Sequence, residues 1–405
     1  MIAAALLLVL QDDVASLLSR LDSKDPKAAF DAISRLSELP REKVEPAAAK
    51  APAFYRRALV AELAARAALG ESFGPATRVT VRAADVPVAE VLEGLRGQCG
   101  LKLEFVEMDD EHPSGPKVKL SLEDVPLFDA LAEICAATQS RPYTGTDAIQ
   151  FIREGAGPLA HFAYRGFLIT ACDMSSTWKV QFGGETTGTA GLSLHLAWDP
   201  RQKLVGTGPI EIVEAADDRA RAMAVAPAPL GDSDAKPDPD ALANLWQGAD
   251  AQPQVYLRWP GRDSRSISLL RGTLALRYPA ATSTFEFGAN PKEGESRKDD
   301  GYEAAVAAVP GAGQPLLKIR VKPLAGTLAE FRETPVELSV RYKGLPEPQH
   351  YGAGRVEEGV PVYSVGAYMG EDGETPFEIE SVVVKVHRRT HERKLHFELR
   401  DLKGK

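Results

Sequence analysis

The chain has 405 residues, 44% of them hydrophobic, 26% charged and 7% aromatic, with a formal net charge of -9 at pH 7. That length exceeds one ordinary domain and points to roughly two to four. The acidic balance works against nucleic acid as a partner, because binding it needs a basic surface to displace counterions.

The first stretch, Met1 to Leu10, is an uninterrupted apolar run before Gln11-Asp12-Asp13. It is shorter than the roughly 20 residues a membrane-spanning helix requires. It resembles the h-region of a secretory signal peptide, although no Lys or Arg precedes it; the first turn of a buried helix is the other reading. No cysteine follows it to carry a lipid anchor, and no later segment reads as a transmembrane span. Export to the periplasm or the cell exterior is therefore the expectation, with 1–11 as the signal peptide.

Residues 12–71 read as helices. Val14, Leu17, Leu18 and Leu21 recur at helical spacing, Asp25-Pro26 is a start signal, and Phe30, Ile33 and Leu36 form the next stripe before Pro40. Leu59, Val60, Leu63 and Ala64 continue the pattern. The phrase LLSRLDSKDPKAAFDAISRLSEL is similar to a HEAT-type helical repeat, which would bury its apolar face on a neighbour.

Residues 72–155 carry an internal repeat. VTVRAADVPVAEVLEGL (Val79 to Leu95) recurs without a gap as VKLSLEDVPLFDALAEI (Val118 to Ile134). Each copy alternates apolar and polar residues as a strand does, then opens a helix at Asp-Val-Pro, where proline suits the first turn and an acid the positive helix end. Leu101, Leu103 and Phe105 supply a strand after the first helix, and Ile149 to Ile152 one after the second. The expected product is a small sheet with both helices on one face. Its free face would carry Thr80, Arg82, Lys102, Glu104, Lys119 and Gln150, of which Arg82, Lys102, Glu104, Lys119 and Gln150 are the candidate partner-binding residues.

This stretch resembles the short N-terminal domain of secretins and TonB-dependent receptors. The matching residues are Asp85-Val86-Pro87-Val88, Val91-Leu92, Gly100-Leu101, Asp124-Val125-Pro126-Leu127 and Ala130-Leu131. The resemblance implies a periplasmic adaptor that docks a partner protein of the envelope. The chain lacks the pore or barrel sequence that follows in that family, so transport does not carry over.

From Pro158 onward, short apolar or alternating runs separated by Gly, Pro and Asp read as β-sandwiches, Ig-like in type, at 156–290 and 301–405. A charged, apolar-free stretch, Asn290 to Gly301, marks the boundary between them, and Ala224 to Asp240 reads as a Pro/Asp/Ala-rich loop. The overall fold class is thus multidomain: N-terminal helices, an α+β module with an internal β-α duplication, then two all-β domains. The texture of LHLAWDP and LRGTLALRYP is similar to that of exported proteins of planctomycete-type bacteria.

Candidate chemistry is sparse. Cys99, Cys135 and Cys172 contain no CxxC pair; Cys99 and Cys135 share one small domain, where a disulfide and two buried thiols both fit, and Cys172 reads as core. His387 and His391 have H-x3-H spacing with His396 following, but their setting reads as a hairpin with a solvated basic tip rather than a metal site. Glu107 to His112 (EMDDEH) lacks a calcium-loop frame, and Gly370 to Glu374 (GEDGE) reads as a turn. No G-x-S-x-G, HExxH, P-loop or Rossmann fingerprint occurs. Trp178, Trp198, Trp246 and Trp259 read as core; exposed, they would suit a carbohydrate-binding face. The expectation is a non-enzymatic, cofactor-free scaffold that docks an envelope protein, with a cell-surface carbohydrate-binding protein as the alternative.

Overall fold

A computed structural model describes residues 14–69, 77–106, 115–144, 148–153, 160–180, 186–227, 253–309, 316–326, 331, 334–345, 348–351, 354–357, 359–366 and 378–403. The apolar start Met1 to Leu10, the acidic run Glu107 to His112, the turn Gly370 to Glu374, Trp246, and residues 228–240 of the Pro/Asp/Ala-rich loop lie outside the described residues. Among the described residues, no helix is long and apolar enough to cross a membrane. The chain is rich in β-structure, distributed over several sheets.

Four helices come first: α1 (14–20), α2 (Pro26–Leu36), α3 (Arg41–Ala47) and α4 (Ala53–Leu69). Asp25 caps α2 by accepting the Lys27 N–H at 3.0 Å, with Pro26 in the first turn. The buried face of α2 does not close a core of its own. Phe30 meets Phe162 at 4.7 Å and Tyr164 at 5.4 Å between ring centroids, both edge-on, so the helices share a core with the β layers that follow. Burying a side chain of that size is worth about 1.5–3 kcal/mol.

The duplicated stretch forms β1 (Arg78–Pro87), α5 (Val88–Cys99), β2 (Lys102–Val106), β3 (Lys117–Pro126), α6 (Leu127–Thr138), β4 (Ser140–Thr144) and β5 (Ala148–Arg153). Its strands make two sheets rather than the single sheet expected: an antiparallel ribbon β1–β3, and a three-stranded sheet in the order β2-β5-β4. The reason lies in how the copies meet. Each copy's first strand pairs with that of the other, Arg78 opposite Pro126 and Pro87 opposite Lys117, which leaves β2 and β4 to flank β5. Both helices pack into a core shared by the two sheets, through Val81, Leu92, Leu95, Leu103, Val118, Leu131, Ile134, Ile149 and Phe151.

The pairing is a local two-fold, and equivalent residues do equivalent work. Asp85 (φ 64) and Asp124 (φ 49) both take the left-handed conformation just before their helices. The Val88 N–H donates to the Pro116 carbonyl at 2.9 Å, and the Leu127 N–H to the Thr77 carbonyl at 2.7 Å. Arg78 bonds Asp124 at 2.8 Å and Lys117 bonds Asp85 at 3.4 Å. The helices end on matching left-handed residues, Gly100 and Gln139. A β-branched residue fits the left-handed site poorly, at a cost of roughly 1–2 kcal/mol, whereas asparagine tolerates it. Asp124→Val is therefore expected to lower stability by about that amount and Asp124→Asn by under about 0.5 kcal/mol, read from urea unfolding midpoints.

The β region has three five-stranded sheets. The first is β10-β11-β8-β7-β6, from β6 (Ala160–Tyr164), β7 (Phe167–Val180), β8 (Thr186–Trp198), β10 (Ala224–Val225) and β11 (Gln254–Trp259). The second is β17-β16-β20-β12-β9, from β9 (Gly206–Asp217), β12 (Ser266–Phe287), β16 (Val336–Tyr342), β17 (Gln349–Tyr351) and β20 (Ile379–Lys403). The third is β13-β14-β15-β19-β18, from β13 (Ser296–Lys298), β14 (Tyr302–Ala308), β15 (Leu316–Pro323), β18 (Gly354–Glu357) and β19 (Val360–Gly366).

The second sheet serves both of the others. Leu270, Leu274, Leu395, Phe397 and Leu399 face the first sheet, with Ile169, Leu192, Leu196 and Leu257 in the same core. Phe285, Phe287, Val382, Val384 and Val386 face the third, with Ile319, Val321 and Val365. Two independent sandwiches split at 290–301 therefore do not describe the β region. β12 and β20, of 22 and 25 residues, run through both cores side by side, and the chain end returns to the first. The stretch expected to be a boundary contains β13. The expected hairpin at His387 to Lys394 is likewise the middle of β20, with a register irregularity opposite Pro279 to Thr282.

Candidate interaction faces

The structure divides the candidate partner-binding residues between two sheets. Arg82 and Lys119 lie on the outer face of the β1–β3 ribbon, Arg82 opposite Ser121 and Lys119 opposite Ala84, all four exposed. Val79, Val81, Ala83 and Val118 point the other way, into the core. Arg82 reaches Glu123 at 3.4 Å with 75% and 80% of the two side chains exposed. A pair that open to water is worth about 0–1 kcal/mol, so it leaves both groups free to exchange partners. Lys119 makes no ion pair or side-chain hydrogen bond among the described residues.

Lys102, Glu104 and Gln150 are neighbours on the three-stranded sheet and satisfy one another. Lys102 meets Glu104 at 3.1 Å, and the Gln150 amide donates to Glu104 at 3.3 Å, all half-buried. Thr80, expected on the same free face, is half-buried at a bulge in β1. The Gln98 side chain accepts the Thr80 N–H at 2.8 Å and donates to its carbonyl at 3.0 Å, which caps the β1 edge there. The equivalent position in the second copy is Ala137, which cannot do the same for β3. A side-chain amide on an exposed helix face carries no sequence signal of this role; only the repeat alignment, read for differences, points to it.

The module is fastened to the rest of the chain at its opposite side. α6 buries Leu127, Phe128, Leu131, Ile134 and Cys135 and keeps Glu133, Ala136 and Ala137 exposed, and Leu168 and Ala197 of the first β sheet complete its core. Thr144 Oγ1 accepts the Trp198 N–H at 2.8 Å and donates to the Trp198 carbonyl at 2.9 Å. Arg201 donates to the Cys99 carbonyl and to Thr77 Oγ1, each at 3.2 Å, and Lys27 of α2 meets Asp129 of α6 at 3.0 Å. His195 is closed into this joint at 1% exposure, its ring 4.5 Å from that of Tyr143. Burial, with Arg141 adding to it, pulls the imidazole down to about 4.

The remaining described candidates are scattered through the fold. Cys99, Cys135 and Cys172 are all buried and free. His387 is buried and bonds Thr282 at 3.0 Å; His391 is exposed; His396 is buried edge-on to Phe54. They do not converge, and among the described residues no group of three or more His, Cys, Asp or Glu is placed to hold a metal. Trp198 and Trp259 belong to the first β core, with Trp178 half-buried against it. No protein-family model, curated protein or solved structure matches this chain.

Proposed function

We propose that this is an exported, non-enzymatic envelope protein that docks a partner protein through the outer face of the β1–β3 ribbon. The observation that carries the reading is the contrast between the two sides of the module. α6 is sunk into the first β sheet, while Arg82, Ala84, Lys119, Ser121 and Glu123 stand on an exposed, uncovered face. A module fixed on one side presents the other without paying to order it on binding. The resemblance to secretin and TonB-receptor adaptor domains supports the same role. Strand addition along β3, whose edge lacks the Gln98 cap, is the geometry we favour.

The double variant Arg82→Glu/Lys119→Glu is expected to weaken partner binding at least tenfold while leaving the thermal midpoint within a few degrees of the parent. Such rim charges set encounter and orientation rather than fold stability. Unchanged affinity, measured against the partner recovered from envelope extract, would remove the ribbon face as the docking site.

A further inference from the structure

The duplicated module meets the first β sheet across a joint with little apolar area of its own. Among the described residues, the module's core takes Leu168, Ala197 and the half-buried Ala163 from that sheet. The polar fastenings are local: Thr144 on the Trp198 backbone, Arg201 on the Cys99 carbonyl and Thr77, and Lys27 on Asp129. Each side keeps a core of its own, with Leu92, Leu131 and Phe151 inside the module and Ile169, Leu194 and Leu257 behind the sheet. Two such bodies can part without either unfolding, because what they share is small beside what each buries alone.

His195 stands inside this joint. On β8, Leu194 and Leu196 enter the sheet's own core, so strand alternation turns His195 and Ala197 toward the module. Nδ1 and Nε2 of the buried ring both lack a hydrogen-bond partner among the described residues. Such a group is uncommon in a folded protein and calls for a reason besides stability. The charged and titratable groups around it come from three elements. β4 brings Arg141 and Tyr143, β7 brings Cys172 and Asp173 next to Thr170, the register partner of His195, and α6 brings Cys135. Asp173 is the carboxylate among them, and it is 68% exposed and engaged with Arg141 at 3.5 Å. A proton on His195 thus makes both ring nitrogens donors in a dry joint, beside a guanidinium of the same charge.

We infer that this joint is an acid-released latch: protonating His195 parts the module from the first β sheet while both keep their folds. The device needs no partner and does not depend on the docking face. Closed, burial first and Arg141 second hold the imidazole down to about 4. Open, the ring meets water and titrates at about 6.5. The open form therefore takes up the proton first, and stability of the closed joint is complete above that value and lost as the pH falls toward 4. Lowering the pH from 7.5 to 5 should raise the open-to-closed ratio about thirtyfold.

The test labels Cys172 of the full chain with a dipyridyl disulfide at pH 7.5 and 5, each rate divided by that of the urea-unfolded chain at the same pH. Cys172 lies on the joint side of β7, 5% exposed, its Sγ 3.7 Å from Thr170 Oγ1. Its normalised rate is expected to rise about thirtyfold on acidification. Over the same range β15 and β16, which belong to the third core, should keep their amide protection against hydrogen exchange, corrected for intrinsic rates. His195→Phe should abolish most of the rise, and His195→Gln, uncharged at both pH values, repeats the test if the phenylalanine variant does not fold. An unchanged rate, a full rise in the folded variant, or a matching loss of protection in β15 and β16 would each overturn the latch.

Discussion

Replacing Arg165 with methionine is expected to destabilise the chain by about 3–5 kcal/mol, the cost of removing one partner from a buried charged network. Arg165 sits at the tip of the two-residue β6–β7 hairpin, where it and Gly166 both take positive φ, 41 and 84 degrees. Its side chain, 2% exposed, enters the helical segment. There it donates to Ser34 Oγ at 2.6 Å and to Ser37 Oγ at 3.2 Å, and pairs with Glu38 at 3.2 Å and Glu62 at 3.4 Å. Glu62 is 6% exposed on its side chain; burial already pushes its carboxyl up, and Arg165 and Arg393 pull it back. Without Arg165 the buried Glu62 carboxyl is left in the core without the ion-pair partner it meets at 3.4 Å. The double variant Arg165→Met/Glu62→Met should recover most of the loss, since an apolar pair of similar volume is often no worse than a buried ion pair. Urea unfolding of the two variants measures this. A single-variant cost below about 1 kcal/mol would show that the hairpin tip does not hold the helices.

The second large effect is expected on acidification. His195 is closed between the module and the first β sheet, facing Tyr143 and Arg141. His396 lies under Phe54, with Arg57 and Lys394 near it. Burial comes first among the causes for each and holds both imidazoles down to about 4. An unfolded histidine titrates near 6.5. Between those values the unfolded chain takes up protons that the folded chain refuses. The stability is complete above pH 6.5 and falls as the pH drops toward 4, by about 2 kcal/mol per histidine at pH 5. Urea midpoints between pH 7.5 and 5 should fall accordingly. His195→Phe should make the fall clearly shallower, and an unchanged slope in that variant would mean the ring is not held neutral.

The duplication was open to sequence reading because both copies keep one offset through strand, Asp-Val-Pro and helix. What the repeat could not display is that each copy pairs with the other. Strand alternation shows which side of a strand is apolar but not which strand lies beside it, so one sheet was expected where two formed. Lys102, Glu104 and Gln150 were thereby assigned to the face that holds Arg82 and Lys119.

The β region illustrates the same limit at longer range. Pro279 and the basic run from His387 to Lys394 both look like breaks in a strand. They are one place in the structure: a register irregularity where β12 and β20, side by side, pass from one core to the other. No Gly, Pro, Asn or Asp lies between His387 and Lys394 to make a turn, and that absence was the available signal of a continuous strand. The partner of β12 lies about a hundred residues later in the chain, beyond the reach of any local pattern.

Removing residues 72–155 would be a poor test of docking, because it strips the cover from Leu168, His195 and Ala197 of the first β sheet. The most direct measurement is site-specific photo-crosslinking in envelope extract, with the reactive residue at Lys119 in one sample and at Gln150 in another. The account predicts one discrete protein adduct from position 119, lost when Arg82→Glu is added, and none from position 150. No adduct at 119, or an adduct there that survives Arg82→Glu, would contradict docking through the ribbon.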